Sequence, residues 1–259
     1  MKFVDAHVHF SDPQYSECTG ELVIEAKAAN VAALVSNSMD FETSLGSLKL
    51  AEKYPGFVYA ALGIHPWSVS VLKRDELQQT LELISANCQN KALIAVGEIG
   101  LDRKYVKMTD EQIMVFDEML RLAEKTELPV IVHSYSTTEQ VIEILPSYRL
   151  KKVLLHWYNH PLSALSKVVE NGYSITEGPP VVYTKHLQKV VERVPVTNLL
   201  TETDGPVVYR KPPFSGKRTT PAFLPVVVKT IAEIKKMDVA EVAEQIAKNF
   251  EVFFNRKLN

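Results

Sequence analysis

The sequence predicts an α/β chain closed into a (βα)8 TIM barrel of the metal-dependent hydrolase type, with one extra C-terminal helix. Three observations carry that expectation. Apolar, β-favouring runs alternate with amphipathic stretches from end to end of the 259 residues, an order that implies a parallel sheet. There are eight such runs, the number that closes a barrel. A doubly wound open sheet would place a glycine-rich phosphate turn after its first strand; that position holds His7-Val8-His9-Phe10.

The elements follow in order. Phe3 to His9 reads as the first strand, and Ser16 to Asn30 has the apolar spacing of a helix. Ala32 to Ser38 is the second strand, followed by a helix through about Lys53. Phe57 to His65, ended by Pro66, is the third, and Arg74 to Cys88 is helical with Leu77, Leu81 and Ile84 on one face. Ala92 to Gly100 is the fourth strand. Thr109 to Glu127 is a long helix, with Thr109 as N-cap and Gln112 three residues on, as in a capping box. Pro129 to Tyr135 and Lys152 to Tyr158 form the fifth and sixth strands around a helix that ends before Pro146. Gly172 to Pro179 is a weaker seventh strand and Asn198 to Pro206 the eighth. Helices over about Ala222 to Lys236 and Asp238 to Phe254 close the chain. The longest irregular stretch, 207–219, follows the last strand. No repeat, low-complexity segment or linker divides the sequence, so residues 1–259 are expected to form one domain, a length such barrels commonly reach.

Composition excludes several classes of function. A net charge of −2 and a pI near 6.4 argue against a generally basic, DNA-coating surface, so any phosphate recognition is local. Cys18 and Cys88 form no CxxC pair, which suggests neither a disulfide framework nor a thiolate metal site. The start Met1-Lys2-Phe3-Val4-Asp5 reaches an acidic residue too early for a signal-peptide core. No apolar stretch approaches the roughly 18 residues of a membrane span. A soluble, cytoplasmic protein without membrane contact is expected, as a monomer or weak dimer.

The residues that carry chemistry sit at strand ends. Leu93-Ile-Ala-Val empties into Gly97-Glu98-Ile99-Gly100-Leu101-Asp102. A carboxylate there needs a cation or a proton, because an isolated buried charge costs on the order of several kcal/mol. His7 and His9 are two apart on a strand and share a face with Asp5. His133 ends Pro129-Val-Ile-Val, His156 ends Lys152-Val-Leu-Leu, and Glu202 and Asp204 face one way on the last strand. Each histidine alone is more often a satisfied structural residue than a ligand. In a barrel, however, the C-terminal strand ends converge on one rim, where catalytic groups gather from several strands. Strands one, four, five, six and eight would each deliver a histidine or a carboxylate there. Four histidines and two carboxylates suit a pair of cations better than one.

Taken in order, Asp5-Ala-His-Val-His9, Gly63-Ile-His65-Pro66, Gly97-Glu98-Ile-Gly-Leu-Asp102, Pro129-Val-Ile-Val-His133-Ser134 and Glu202-Thr-Asp204-Gly-Pro206 resemble the successive motifs of the TatD family of metal-dependent hydrolases. That family lies within the wider amidohydrolase-like barrels. The ending Ala247-Lys-Asn249-Phe250-Glu-Val-Phe253-Phe254 is similar to the family's last helix. The resemblance implies that His7, His9, Glu98 and Asp204 bind one metal, and that Glu98 bridges to a second held by His133 and His156. It picks Asp204 over Glu202, which becomes a supporting carboxylate, and implies that His65 touches the substrate phosphate. Asp5 and Asp102 are candidates to orient ligand imidazoles.

Two motifs depart from the family pattern. The usual Ser-Arg-Asp or Ser-Arg-Glu after the fifth-strand histidine reads Ser134-Tyr135-Ser136, and the usual His-Cys-Phe-Ser-Gly reads His156-Trp157-Tyr158-Asn159-His160. The lost arginine is a lost two-toothed phosphate contact. Arg210, Lys211, Lys217 and Arg218 in the last loop could replace it as substrate-binding groups. Tyr135, Trp157, Tyr158 and Tyr209 could stack the bases of a single-stranded end, worth roughly 1–3 kcal/mol per base. Whether Tyr135 and His160 take over the lost phosphate contacts stays open, and His160 and His186 are otherwise read as structural or surface residues.

The expected activity is hydrolysis by a metal-activated hydroxide at a dinuclear site. Asp204 orients the nucleophile and accepts its proton, and Glu98 sets the spacing of the metals. Four imidazoles favour zinc or manganese, whereas the resemblance implies that magnesium or manganese supports nuclease activity. Nucleic acid is the expected substrate, cleaved as by a deoxyribonuclease or 3′-end exonuclease. The alternative is a carboxyl ester, lactone, amide or aminoacyl-tRNA ester on the same centre. A catalytically dead scaffold is disfavoured because every expected ligand is present.

Overall fold

The computed structural model describes residues 1–159 and 161–258. Eight strands, β1 (Phe3–Val8), β2 (Val31–Asn37), β3 (Val58–Leu62), β4 (Leu93–Gly100), β5 (Val130–His133), β6 (Val153–Leu155), β7 (Ser174–Glu177) and β8 (Leu199–Thr201), pair in sequence order. All the pairings are parallel. The barrel is drawn shut where the last strand meets the first. The Thr201 hydroxyl donates to the Val4 carbonyl at 2.7 Å. Just beyond it, the Asp204 N–H donates to the His7 carbonyl at 2.9 Å and the His9 N–H to the Gly205 carbonyl at 2.8 Å.

Every residue of β1, β3, β4, β5, β6 and β8 is buried. Strands covered on both faces require this, and it is why they read as continuous apolar runs rather than alternating ones. The helices of the outer layer are α1 (Thr19–Ala28), α2 (Phe41–Lys53), α3 (Glu76–Asn87), α4 (Asp110–Thr126), α5 (Thr138–Ile144), α6 (Leu162–Glu170), α7 (Lys185–Arg193), α8 (Leu224–Lys235) and α9 (Val239–Phe254). The sequence pattern delimits no helix between the sixth and eighth strands, yet α6 and α7 lie there, each only nine residues long. The extra C-terminal helix is α9, whose Asn249 amide donates to the Val196 and Leu199 carbonyls at 2.7 and 2.8 Å and so fastens the base of β8. Among the described residues, no helix is long and apolar enough to cross a membrane.

Three local departures shape the rim. Thr109 caps α4 by accepting the Gln112 N–H at 3.2 Å. Gln112 does not close the capping box; its Oε1 accepts the Asp102 N–H at 2.9 Å and pins the end of the fourth βα loop. β6 and β8 stop sooner than their apolar runs, so His156 and Asp204 project from chain beyond the regular ladder. There Trp157 and Asp204 take positive φ angles of 39° and 48°, sparsely populated for non-glycine residues and concentrated at functional rims.

β4 runs against β5 so closely that one glycine is obligatory. A Cβ on Gly100, at φ +149°, would stand 2.0 Å from the His133 carbonyl oxygen. Gly100→Ala should therefore cost about 2 kcal/mol or more, read as a melting temperature lower by roughly 4 °C or more. An unchanged melting temperature would mean that the two strands separate at no cost.

Candidate metal centre

The barrel mouth gathers the side chains from seven elements or loops. β1 supplies His7 and, one residue past its end, His9; β4 supplies Glu98. β5 ends on His133, His156 follows β6, Asp204 lies three residues past β8, and His65 lies three past β3. Apart from the half-buried His9, all are buried. Five of the seven histidines of the chain thus meet around one carboxylate. His186 takes no part, and His160 lies outside the described residues.

The two oxygens of Glu98 face different partners. Oε2 lies 3.3 Å from His7 Nε2 and 3.2 Å from His9 Nε2, and Asp204 Oδ1 lies 3.3 and 3.5 Å from the same two nitrogens. Oε1 lies 2.7 Å from His156 Nε2, 2.8 Å from His133 Nδ1 and 3.2 Å from His65 Nε2. The ring nitrogens also face one another, His7 Nε2 to His9 Nε2 at 3.3 Å and His133 Nδ1 to His156 Nε2 at 3.3 Å. Lone pairs pointed at one another repel unless a proton or a cation sits between them. Glu98 Oε2 is buried with no hydrogen-bond partner, an arrangement that costs free energy unless something positive completes it. The donor set of imidazoles and carboxylates fits divalent zinc or manganese.

Supporting groups aim several of these rings. His9 Nδ1 lies 3.1 Å from the Asn37 carbonyl, an acceptor that leaves Nε2 as the free donor atom for the centre. His133 Nε2 donates to Asp102 Oδ2 at 2.9 Å, which turns Nδ1 inward. Glu202 stands beside His156 Nδ1 at 3.5 Å and is itself held by the Thr176 hydroxyl at 2.5 Å. Asp5 does not orient an imidazole. Its carboxylate accepts the His7 and Thr203 N–H groups and the Thr203 hydroxyl, tying the backbone of β1 to the segment after β8.

Charge is divided accordingly. Burial alone would raise the Glu98 carboxyl, but His156, His65 and His7 around it and the hydrogen bond to His133 hold it well below the usual range. Burial opposes the charged form of Asp204 too, and His7 and His9 keep it ionised. Burial would depress His9, yet Asp204 and Glu98 bring it to about 10. His65 goes the other way: burial pushes it down to about 4 despite Glu98. Its Nδ1 accepts the Trp67 N–H at 3.1 Å, so the neutral ring carries its proton on Nε2. That tautomer makes His65 a donor from Nε2, which faces Glu98 Oε1 at 3.2 Å and His133 Nδ1 at 3.3 Å. One buried acid had no sequence signal. Glu177, at the end of β7, has no hydrogen-bond partner on either oxygen, and burial, then Glu202, raise it well above the usual carboxyl range.

The cluster forms the floor of a cavity of about 530 Å³. Tyr135 and Trp157 line it, as do Met39, Trp67, Tyr105 and Asn159. Tyr158 and Tyr209 do not; both are buried, with the Tyr209 hydroxyl donating to the Thr203 carbonyl. Nor do the loop cations reach the cavity. Arg218 faces Glu21 and Glu25 at 3.6 and 3.8 Å, Lys211 lies over the Tyr183 ring at 5.2 Å, and Arg210 and Lys217 are exposed elsewhere. Among the described residues, no Lys or Arg lines the cavity. Trp67 and Tyr105 escaped sequence reasoning. Their only signal is position, two residues after His65 and three after Asp102.

The chain is similar along nearly its whole length to known proteins. Residues 4–255 match the family described as TatD related DNase. The chain is 31% identical over 255 residues to the uncharacterized metal-dependent hydrolase YabD of Bacillus subtilis, covering 96% of this chain and 98% of that protein. It is 32% identical over 260 residues to human deoxyribonuclease TATDN3, covering 95% and 92%. The crystal structure of YJJV, a TatD homolog from Escherichia coli, superposes with a TM-score of 0.89 at 29% identity, covering 98% of both chains.

Two measurements check the centre. With His9 at about 10, the metal-free protein holds that ring protonated at neutral pH. A divalent cation must displace the proton, so affinity should rise with pH below that value. Calorimetry with zinc or manganese in buffers of different ionisation enthalpy should report at least one proton released per chain; none released would contradict this electrostatic picture. Asp102→Asn should weaken cation binding by about 10–100-fold while leaving the circular dichroism spectrum unchanged.

Proposed function

The chain belongs to the TatD related DNase family and is a metal-dependent hydrolase, and on that premise we propose that it cleaves phosphodiester bonds of DNA from a strand end, at a centre for two divalent ions. The observation that carries the proposal is the division of Glu98, with Oε2 turned to His7 and His9 and Oε1 to His133 and His156. His7, His9, Glu98 and Asp204 would hold one ion, and Glu98, His133 and His156 the other. The name of the human relative, a deoxyribonuclease, supports the substrate class. Two free cysteines support a reducing, cytoplasmic setting.

Divalent ions bound there would lower the pKa of water from about 15.7 toward about 7 and offset charge on the phosphate. The protein's own groups do the rest. Asp204, held ionised between His7 and His9, orients the attacking water through a carboxylate oxygen and receives its proton. His65 donates from Nε2 to a phosphate oxygen, a role its neutral tautomer permits. Glu202 and Asp102 keep His156 and His133 aimed at the centre.

One observation favours a second reading. With no Lys or Arg among the described residues lining the cavity, a neutral carboxyl ester, lactone or amide would also be accepted, including the aminoacyl ester of a charged tRNA. Rates on bis-p-nitrophenyl phosphate, p-nitrophenyl acetate and a simple lactone, with zinc, manganese or magnesium added singly, separate the two. The phosphodiester should be the best substrate; a rate confined to the carboxyl ester or lactone would overturn the first reading. Glu98→Ala should lower either rate by more than the ~10–100-fold loss expected for a merely supporting carboxylate.

A further inference from the structure

The wall of the cavity above the metal centre is aromatic. Trp67 is 40% exposed and Tyr105 62% exposed, and adjoining exposed rings beside a cavity are what a ligand-binding groove presents. Their centroids lie 5.4 Å apart at 73°, and Tyr105 lies 5.2 Å from Tyr135. The same wall continues to the centre itself, because Trp67 packs edge-on against His65 at 4.9 Å.

The wall is also held in fixed register with the ligands. Asp102 Oδ2 accepts both the Trp67 indole N–H at 2.8 Å and His133 Nε2 at 2.9 Å. Its other oxygen accepts the Lys104 and Tyr105 N–H groups at 2.6 and 2.7 Å. A single buried carboxylate therefore sets a ligand-type imidazole, an exposed indole and the backbone of an exposed tyrosine relative to one another.

We propose that Trp67, Tyr105 and Tyr135 form a stacking site for one unpaired nucleobase next to the scissile phosphodiester. This rests on the phosphodiester reading above and narrows it to a single-stranded end or a small nucleotide ester. A cavity of about 530 Å³ is of a size that encloses a small ligand, not a duplex. Every base has a π-face, so such a shelf reads the presence of a base rather than its identity. With no Lys or Arg among the described residues that line the cavity, a charged backbone track contributes little, and binding depends weakly on salt.

The test uses the metal-loaded protein and two phosphodiesters with one leaving group, thymidine 5′-(p-nitrophenyl phosphate) and methyl p-nitrophenyl phosphate. The base-bearing ester should have a kcat/KM about tenfold higher or more, mainly through KM. That ratio should collapse toward one in Trp67→Leu and Tyr105→Ala and survive in Trp67→Phe and Tyr105→Phe, whatever each variant does to turnover. Between about 50 and 200 mM salt the base-bearing kcat/KM should fall by only a few-fold, against the ~10³-fold or greater loss of a protein that grips many phosphates. A wild-type ratio near one, or equal losses on both esters in the leucine and alanine variants, overturns the shelf. If neither ester is hydrolysed, the phosphodiester reading fails, and calorimetric titration with thymidine 5′-monophosphate against methyl phosphate still decides. About tenfold tighter nucleotide binding, lost in Trp67→Leu, upholds the shelf; equal affinities refute it.

Discussion

A carboxylate shut away from water, Glu98, sets the terms for the whole barrel mouth. Its neighbours within 3.3 Å are the nitrogens of His7, His9, His65, His133 and His156. No exposed lysine can be recruited from solvent to such a place, so positive charge has to come from inside, from protonated rings or from cations between them. This requirement reaches back into the architecture. Donors must arrive from strands far apart in the chain, and the parallel barrel does so by ending every strand at the same rim. The obligatory Gly100, the interstrand hydrogen bonds of Asp204 and His9, and the pinning of Asp102 by Gln112 all serve that convergence.

The same arithmetic of charge limits how a substrate is held. The positive groups at the centre are consumed by Glu98 and Asp204, and the loop cations are drawn to Glu21, Glu25 and the Tyr183 ring instead of the cavity. On the proposed function, recognition would fall to the neutral His65 ring and to the aromatic wall. Asp102 belongs to both systems, so the aim of a ligand-type ring and the pose of the wall are not independently adjustable.

Much of this was legible in the sequence. His7, His9, Glu98, His133 and His156 came into view because so many strand ends carry metal-ligand residues at once, and the family resemblance singled out Asp204 from Glu202. What the sequence hid depended on the third dimension. Burial and the Trp67 N–H decide the tautomer of His65, and no spacing rule carries that. The basic loop of 210–218 turns away from the cavity, with Arg218 facing Glu21 and Glu25 of α1. Tyr158 and Tyr209 fill interior space while Trp67 and Tyr105 stand at the mouth, and residue type alone cannot distinguish those fates. Asp5 shares a strand face with the histidines, yet its side-chain partner is Thr203, nearly two hundred residues away.

Joining the first strand to the last has a consequence for the history of each molecule. His7 and His9 leave the ribosome first, while Asp204 and the segment that bonds to them follow almost two hundred residues later. Until that segment docks, the emerging polypeptide lacks the Asp204 carboxylate beside His7 and His9. Contacts so distant along the chain form late, and cation capture is coupled to them. A chain that ends before residue 204 would therefore carry an incomplete donor set at the barrel mouth.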